Sequence, residues 1–323
     1  MLVLNRSAME EVLPMNEVIE ALAAGFRELK EKGAQIPTRF PLEIGKPKGV
    51  VLFMPAHLPH SRRLGVKVVS VFPENPTLGK PTIYASYLLQ DAATGELLAL
   101  MEAGSLTGIR TGAASALASR YLARADSRCL GVIGAGFQSV YQARALLAVR
   151  PLEEVWVYDA VAAQVERFRQ ALGGSLKVHQ ARSAAEAVQK SDILVTATTS
   201  ATPVFADRDL REGTHINAIG AFRPDTREID FATVKRARVV VDTYEGALAE
   251  AGELLIPIHQ GQYRKEDIQA ELAQLVCGEK TGRQNPAEIT LFKSVGHALE
   301  DVVVAHLAYR RALAQGKGLA VDW

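Results

Sequence analysis

The apolar run Cys129-Leu130-Gly131-Val132-Ile133 enters a glycine turn, Gly134-Ala135-Gly136, and then the helix-like segment that begins Phe137-Gln138. A second apolar run, Val155-Trp156-Val157-Tyr158, ends in Asp159. A dinucleotide-binding βαβ unit needs this order. Gly134 permits the tight turn, and Gly136 lets the backbone approach a pyrophosphate at a helix N-terminus. An acidic residue about twenty positions on accepts hydrogen bonds from the adenosine ribose. The third glycine position of the pattern holds Ser139, which is small. The pattern implies a nicotinamide or flavin cofactor. Ala160 and Val161 follow Asp159, with no arginine close by to balance a 2′-phosphate, so NAD(H) is favoured. NADP(H) is possible if another loop supplies a cation.

With 323 residues the chain has room for two domains. A net charge of +1 gives no reason to expect nucleic acid or an anionic membrane as partner. The two cysteines, Cys129 and Cys277, exclude a disulfide framework and fit a reducing, cytoplasmic setting. No apolar run is long enough to span a membrane, and the N-terminus does not read as a signal peptide.

The rhythm of the chain changes near Arg128. Before it, Asn16 to Lys32 reads as a helix ended by Gly33, with Val18, Ala21, Leu22, Gly25, Phe26 and Leu29 at helical spacing. Short β-like runs follow at Val50 to Phe53, Gly65 to Val71, Ile83 to Leu89 and Leu97 to Met101, without crossover helices between them. That pattern predicts an antiparallel or mixed sheet. Ser105 to Ala123 reads as a long helix rich in small residues.

After Arg128, six apolar runs read as buried parallel strands of a Rossmann sheet: Leu130 to Ile133, Val155 to Tyr158, Leu176 to His179, Ile193 to Ala197, His215 to Ile219 and Val239 to Val241. Ile258 to Asn285 reads as a polar surface excursion, and Ser294 to Leu313 as a helix returning to the first domain, with Ser294 as its cap. The fold class expected is α/β. A Rossmann NAD(P)-binding domain over residues 119–296 accompanies a mixed α+β domain formed by residues 1–118 with 297–323.

Three cations of the first domain are candidates for an anionic ligand. Arg39 follows Pro37-Thr38, and Arg110 sits among small residues that leave a guanidinium room to reach a carboxylate. Lys67 lies inside the apolar run Gly65 to Val69, where strand alternation separates it from Val66 and Val68. A desolvated lysine there could donate a proton. An isolated cation is more often a solvated charge, but together the three fit an amino or imino acid. Thr196-Ala197-Thr198 and Asn217-Ala218-Ile219 end strands, where cofactor contacts are expected. The histidines form no catalytic set, and His57 with His60 lacks further metal ligands.

These segments together resemble the ornithine cyclodeaminase/mu-crystallin family over nearly the whole chain. The resemblance is carried by Phe53-Met54-Pro55-Ala56, Gly65-Val66-Lys67, Phe72-Pro73-Glu74-Asn75-Pro76, Leu106 to Ala113, Gly134 to Gln138, and Phe292-Lys293-Ser294-Val295-Gly296 with Glu300-Asp301. It implies a homodimer whose first domain serves substrate binding and dimerisation. It also implies that Arg39, Met54, Lys67 and Arg110 bind the substrate, with Lys67 catalytic. The cofactor would be lined by Thr111, Gly134, Ala135, Gly136, Phe137, Gln138, Asp159, Thr196, Ala197, Thr198, Ala218, Ser294, Val295 and Gly296.

Ornithine cyclodeaminases of that family carry an aspartate after the fifth Rossmann strand. The corresponding segment here is Gly220-Ala221-Phe222-Arg223-Pro224-Asp225-Thr226-Arg227-Glu228, with Phe222 in the aspartate's place. A phenyl ring cannot take a proton. The segment is similar to that of the mu-crystallin and ketimine reductase branch. The expected activity is therefore NAD(P)H-dependent reduction of an α-imino acid, most simply a cyclic one such as pyrroline-2-carboxylate or piperideine-2-carboxylate. The alternatives are an ornithine cyclodeaminase or alanine dehydrogenase activity, or a non-catalytic ligand-binding protein.

Overall fold

A computed structural model describes residues 1–30, 33–46 and 48–322. The chain divides into two compact units, Met1–Arg110 with His297–Trp323 and Thr111–Gly296. The division falls after Arg110, not after residue 118 as the sequence suggests. It lies inside one continuous helix, where composition changes too little to mark a boundary.

The first unit is built on a seven-stranded mixed sheet. Its strands are β1 (Leu2–Leu4), β2 (Phe40–Ile44), β3 (Gly49–Leu58), β4 (Arg63–Val71), β5 (Ile83–Asp91) and β6 (Leu97–Glu102). The order across the sheet is Leu319–Ala320, β1, β6, β5, β4, β3, β2. Neighbours run antiparallel except β1 and β6. Helices α1 (Arg6–Val12) and α2 (Met15–Leu29) pack with the C-terminal helix Ala298–Gln315, which lies on β3, β4 and β5. Helix α2 buries Val18, Ile19, Leu22 and Phe26 as one stripe. Of the helix expected to Lys32, residues 31 and 32 lie outside the described residues. Gly25 permits the close approach of α2, since a Cβ there would stand 2.5 Å from Val303 Cγ2. Alternation along β3, β4 and β5 turns Met54, Lys67 and Tyr87 inward, all nearly inaccessible to solvent. Leu42 and Tyr84 are exposed and Val51, Phe53 and Val68 half-buried on the other face.

The long helix α3 (Ala103–Leu122) is followed by an eight-stranded parallel sheet that forms the second unit. Its strands are β7 (Cys129–Ile133), β8 (Glu154–Tyr158), β9 (Lys177–Gln180), β10 (Ile193–Thr196), β11 (His215–Ala218), β12 (Arg238–Val241), β13 (Ala270–Glu271) and β14 (Thr290–Lys293). The order is β13, β12, β14, β11, β10, β7, β8, β9, so the winding direction reverses between β7 and β10. All six strands read from the sequence are present. The sequence reading misses β14, which inserts between β11 and β12. The expected surface excursion is corrected in part. It contains β13 and a short helix, Leu272–Val276, and it buries Ile268, Ala270, Leu272, Ala273 and Leu275. Elements of two to five residues are too short to display a period. The Arg150 guanidinium closes the C-terminus of α3 by donating to the carbonyls of Ser119, Arg120, Ala123 and Arg124, a favourable place for a cation.

Candidate active site

The residues expected to hold a dinucleotide gather at the carboxyl ends of β7, β8, β10, β11 and β14. Gly134 has φ +90°, and a Cβ there would lie 2.6 Å from the Ala197 carbonyl oxygen. Only glycine lets the turn after β7 pass the loop after β10 at that distance. Gly136 is the N-cap of α4 (Phe137–Leu147) and supplies no side-chain cap. A Cβ at Gly136 would meet nothing within 4 Å, so the first turn of α4 has room for a phosphate to take up its N–H groups. Ser139 fits the third glycine position because its hydroxyl turns back to donate to the Gly136 carbonyl at 2.6 Å. Asp159 accepts from Ala135 N at 2.7 Å and Val161 N at 2.8 Å, which holds a carboxylate beside the turn. These features fit a dinucleotide. Thr111 opens this unit at a buried position, and the adjacent Gly112 packs on Tyr141 and Ala145 of α4. Phe137 is exposed and its ring meets Tyr141.

Two buried carboxylates that the sequence reading left without a role fasten the remaining loops. Glu228 Oε1 accepts from Thr198 N at 2.6 Å, and Oε2 accepts from Gly220 N at 2.7 Å and Thr196 Oγ1 at 3.1 Å. One side chain thus joins the loops after β10 and β11. Asp242 Oδ2 accepts from Ser294 Oγ at 3.0 Å and from Val295 N and Gly296 N at 2.8 Å each. Ser294 is therefore no helix cap; the C-terminal helix starts after His297, which has no side-chain cap bond. Ala218 is fully buried at the end of β11, and its carbonyl accepts from Ser294 N. The signal for Glu228 was an acid inside an otherwise turn-like segment, and strand ends gave none for Asp242. His215 is buried and bonded to Thr290 Oγ1 at 2.9 Å; burial pushes its pKa down to about 3, so the ring is neutral and structural.

The cations expected to hold a substrate converge in the first unit. Lys67 faces Met54 across β3 and Tyr87 across β5. Its Nζ lies 2.8 Å from each carboxylate oxygen of Asp301 on the C-terminal helix. Arg110 Nη1 contacts Glu300 Oε2 at 2.8 Å, and its Nε lies 3.0 Å from Asp301 Oδ1. Glu300 and Asp301 are wholly buried. The signal for them was a pair of acids opening an otherwise apolar helix face. Burial lowers the Lys67 pKa to about 8; Asp301 opposes the fall, while Arg110 and Arg39 add to it. Arg39 precedes β2 and is half-buried, near enough to act on Lys67 through its charge. Tyr87 is a further polar group the sequence reading missed. Its hydroxyl is buried without a hydrogen-bond partner among the described residues, and Gly65 makes room for its ring. The set offers two or three cations, one of them an ammonium that can exchange its proton near neutral pH.

A sequence profile of the ornithine cyclodeaminase/mu-crystallin family matches residues 1–316. A Delta(1)-pyrroline-2-carboxylate reductase from Bacillus cereus is 40% identical, with all of both chains covered. The solved Thermococcus litoralis Delta(1)-pyrroline-2-carboxylate reductase, in complex with NADH and L-proline, superposes with a TM-score of 0.95 at 46% identity, over 99% of this chain and 100% of that one. An archaeal alanine dehydrogenase dimer with bound NAD gives a TM-score of 0.92 at 36% identity, over 100% of this chain and 99% of that one. By profile, sequence and fold, the chain belongs to the ornithine cyclodeaminase/mu-crystallin family.

Proposed function

We propose that this protein is an NADH-dependent reductase of a cyclic α-imino acid, with pyrroline-2-carboxylate or piperideine-2-carboxylate as substrate. The observation that carries the reading is the buried Lys67 ammonium, held by Asp301 and flanked by Arg110 and Arg39. The similarity to pyrroline-2-carboxylate reductases supports it. Arg110 and Arg39 bind the substrate carboxylate, and Met54 gives the ring an apolar wall. Lys67 donates the proton that the imine nitrogen gains. The bound nicotinamide supplies a hydride to the imine carbon, so C=N becomes CH–NH and the products are a secondary amino acid and NAD+. Asp301 keeps the ammonium placed, and Glu300 keeps the Arg110 fork oriented.

The cofactor is held by the Gly134–Gly136 turn, the first turn of α4 with Phe137 and Gln138, Asp159, and the loops of Thr196–Thr198 and Ser294–Gly296. Asp159 accepts from the ribose hydroxyls and disfavours a 2′-phosphate, which makes NADH the preferred form. Phe222, exposed after β11, offers no base, which favours reduction over release of ammonia.

The working form is a homodimer. The half-exposed apolar face of the first unit supports a second copy as its occupant, and the alanine dehydrogenase neighbour is a dimer. The free thiols Cys129 and Cys277 suit the cytoplasm.

The test follows NADH and NADPH oxidation with both cyclic imines, beside ammonia release from ornithine and alanine with NAD+. Imine-dependent oxidation of NADH without ammonia release is expected. Ammonia from either amino acid with little imine reduction would overturn the reading.

A further inference from the structure

Among the described residues, the charged side chains buried in the second unit are Glu228, Asp242, Glu253 and Lys293. Two of the carboxylates, Glu253 and Glu228, interact with the one ammonium. Lys293 Nζ pairs with Glu253 Oε2 at 3.1 Å and donates to the Ala221 carbonyl, and Glu253 Oε1 accepts from Glu228 N at 3.0 Å. Burial raises the pKa of the Glu228 carboxyl and the Glu253 carboxylate adds to the rise, while the Lys293 ammonium and the Thr198 N–H oppose it. Each Glu228 oxygen accepts a backbone N–H at 2.6 to 2.7 Å, so a proton on either would meet a donor. The ionised form is the one this geometry fits. The excess negative charge is thus fixed under the loops after β10, β11 and β14.

A dinucleotide at a reversal of strand order spans both sides of it. In the dinucleotide site proposed above Asp159 would hold the adenosine on the β8 side, so the nicotinamide half would fall on the side of β10 and β11, whose loops Glu228 fastens. Oxidised and reduced nicotinamide rings differ by one unit of positive charge, carried by the oxidised ring. A fixed anion in a poorly screened interior distinguishes the two.

We propose that Glu228, with Glu253 and Lys293 setting its net charge, makes this protein bind NAD+ more tightly relative to NADH, and so makes the bound reduced cofactor a stronger hydride donor. This rests on the dinucleotide site proposed above. Glu228 acts through its field and through the loops it positions, without touching the substrate. A merely structural clamp would weaken both cofactor forms together; a field acts on their ratio.

The experiment measures Kd for NAD+ and for NADH separately, by calorimetry and by quenching of protein fluorescence, at one pH and salt concentration. The proteins are wild type, Glu228→Gln, Glu253→Gln and Lys293→Met. In Glu228→Gln the ratio Kd(NAD+)/Kd(NADH) is expected to rise on the order of tenfold, the effect of one unit charge across a partly screened interior. Glu253→Gln, which keeps an acceptor for Glu228 N, should raise it less. Lys293→Met should lower it. A ratio within about twofold of wild type in every variant that folds, judged on a tenfold scale, overturns the proposal, even if both Kd values rise. Failure of wild type to bind either cofactor would instead overturn the dinucleotide site itself.

Discussion

At the scale of single residues, the chemistry depends on Lys67. Its alternation in β4 was legible in the sequence, but its partner Asp301 stands 234 positions away and could not be read from spacing. In the folded chain its pKa is about 8, against 10.5 for an exposed lysine. If Lys67 donates the proton, kcat/KM for the imine falls above pH about 8 as the ammonium is lost. Stability moves the other way. Between pH about 8 and 10.5 the unfolded chain binds the proton that the folded chain has released, so this group favours folding increasingly as pH rises. A pH–rate profile recorded beside thermal melts separates the two effects; activity lost only where the melt also collapses would count against Lys67. Lys67→Met should lower kcat about 10²- to 10⁴-fold, the usual worth of a positioned proton donor. Asp159 gives a second prediction at this scale. Asp159→Ser with Ala160→Arg should move the ratio of kcat/KM values toward NADPH, and an unmoved ratio would show that the ribose is read elsewhere.

At the scale of elements, legibility followed length and period. The six apolar runs of the second unit and the mixed sheet of the first are each several residues long and flanked by turn residues, so their patterns survive in one dimension. Strand β14 escaped because it sits among polar neighbours and takes its place between β11 and β12 out of chain order. The carboxylates that fasten loop backbones escaped for a different reason. Their partners are N–H groups, which every residue carries, so nothing in the local sequence marks them. The turn after β7 is the element where both kinds of information meet. A Gly134→Ala variant would have to hold an alanine at φ +90° with its methyl 2.6 Å from the Ala197 oxygen. The cost is on the order of 1–3 kcal/mol of strain, plus displacement of one of the two loops. The expected result is a lower Tm together with a raised KM for NADH and an unchanged KM for the imine. A change confined to the imine KM would place the dinucleotide elsewhere.

At the scale of the whole molecule, the sequence holds a fact that the fold of one chain does not use. Strands β2 to β5 alternate, and the inward set (Met54, Lys67 and Tyr87) is accounted for by the C-terminal helix. The outward set is apolar as well. Leu42 pairs with Val51, Phe40 with Phe53 and Phe53 with Val68, while Tyr84 pairs with Ser70. Phe40, Leu42 and Tyr84 are exposed. A sheet facing water on one side would carry polar residues there. A contiguous apolar face of this kind marks an interface. Because the face belongs to a sheet, a second copy can cover it isologously, with each strand row meeting its symmetry mate. Light scattering on the purified protein should therefore give twice the chain mass of 34.9 kDa. Phe53→Glu combined with Val68→Lys should bring the mass to that of one chain, because charges buried in such an interface lack partners. The far-UV circular dichroism of the variant should stay close to wild type, since these side chains lie outside the core of their own unit. A wild-type mass of one chain, or a double variant that still self-associates, would mean that this face is covered by something other than a second copy.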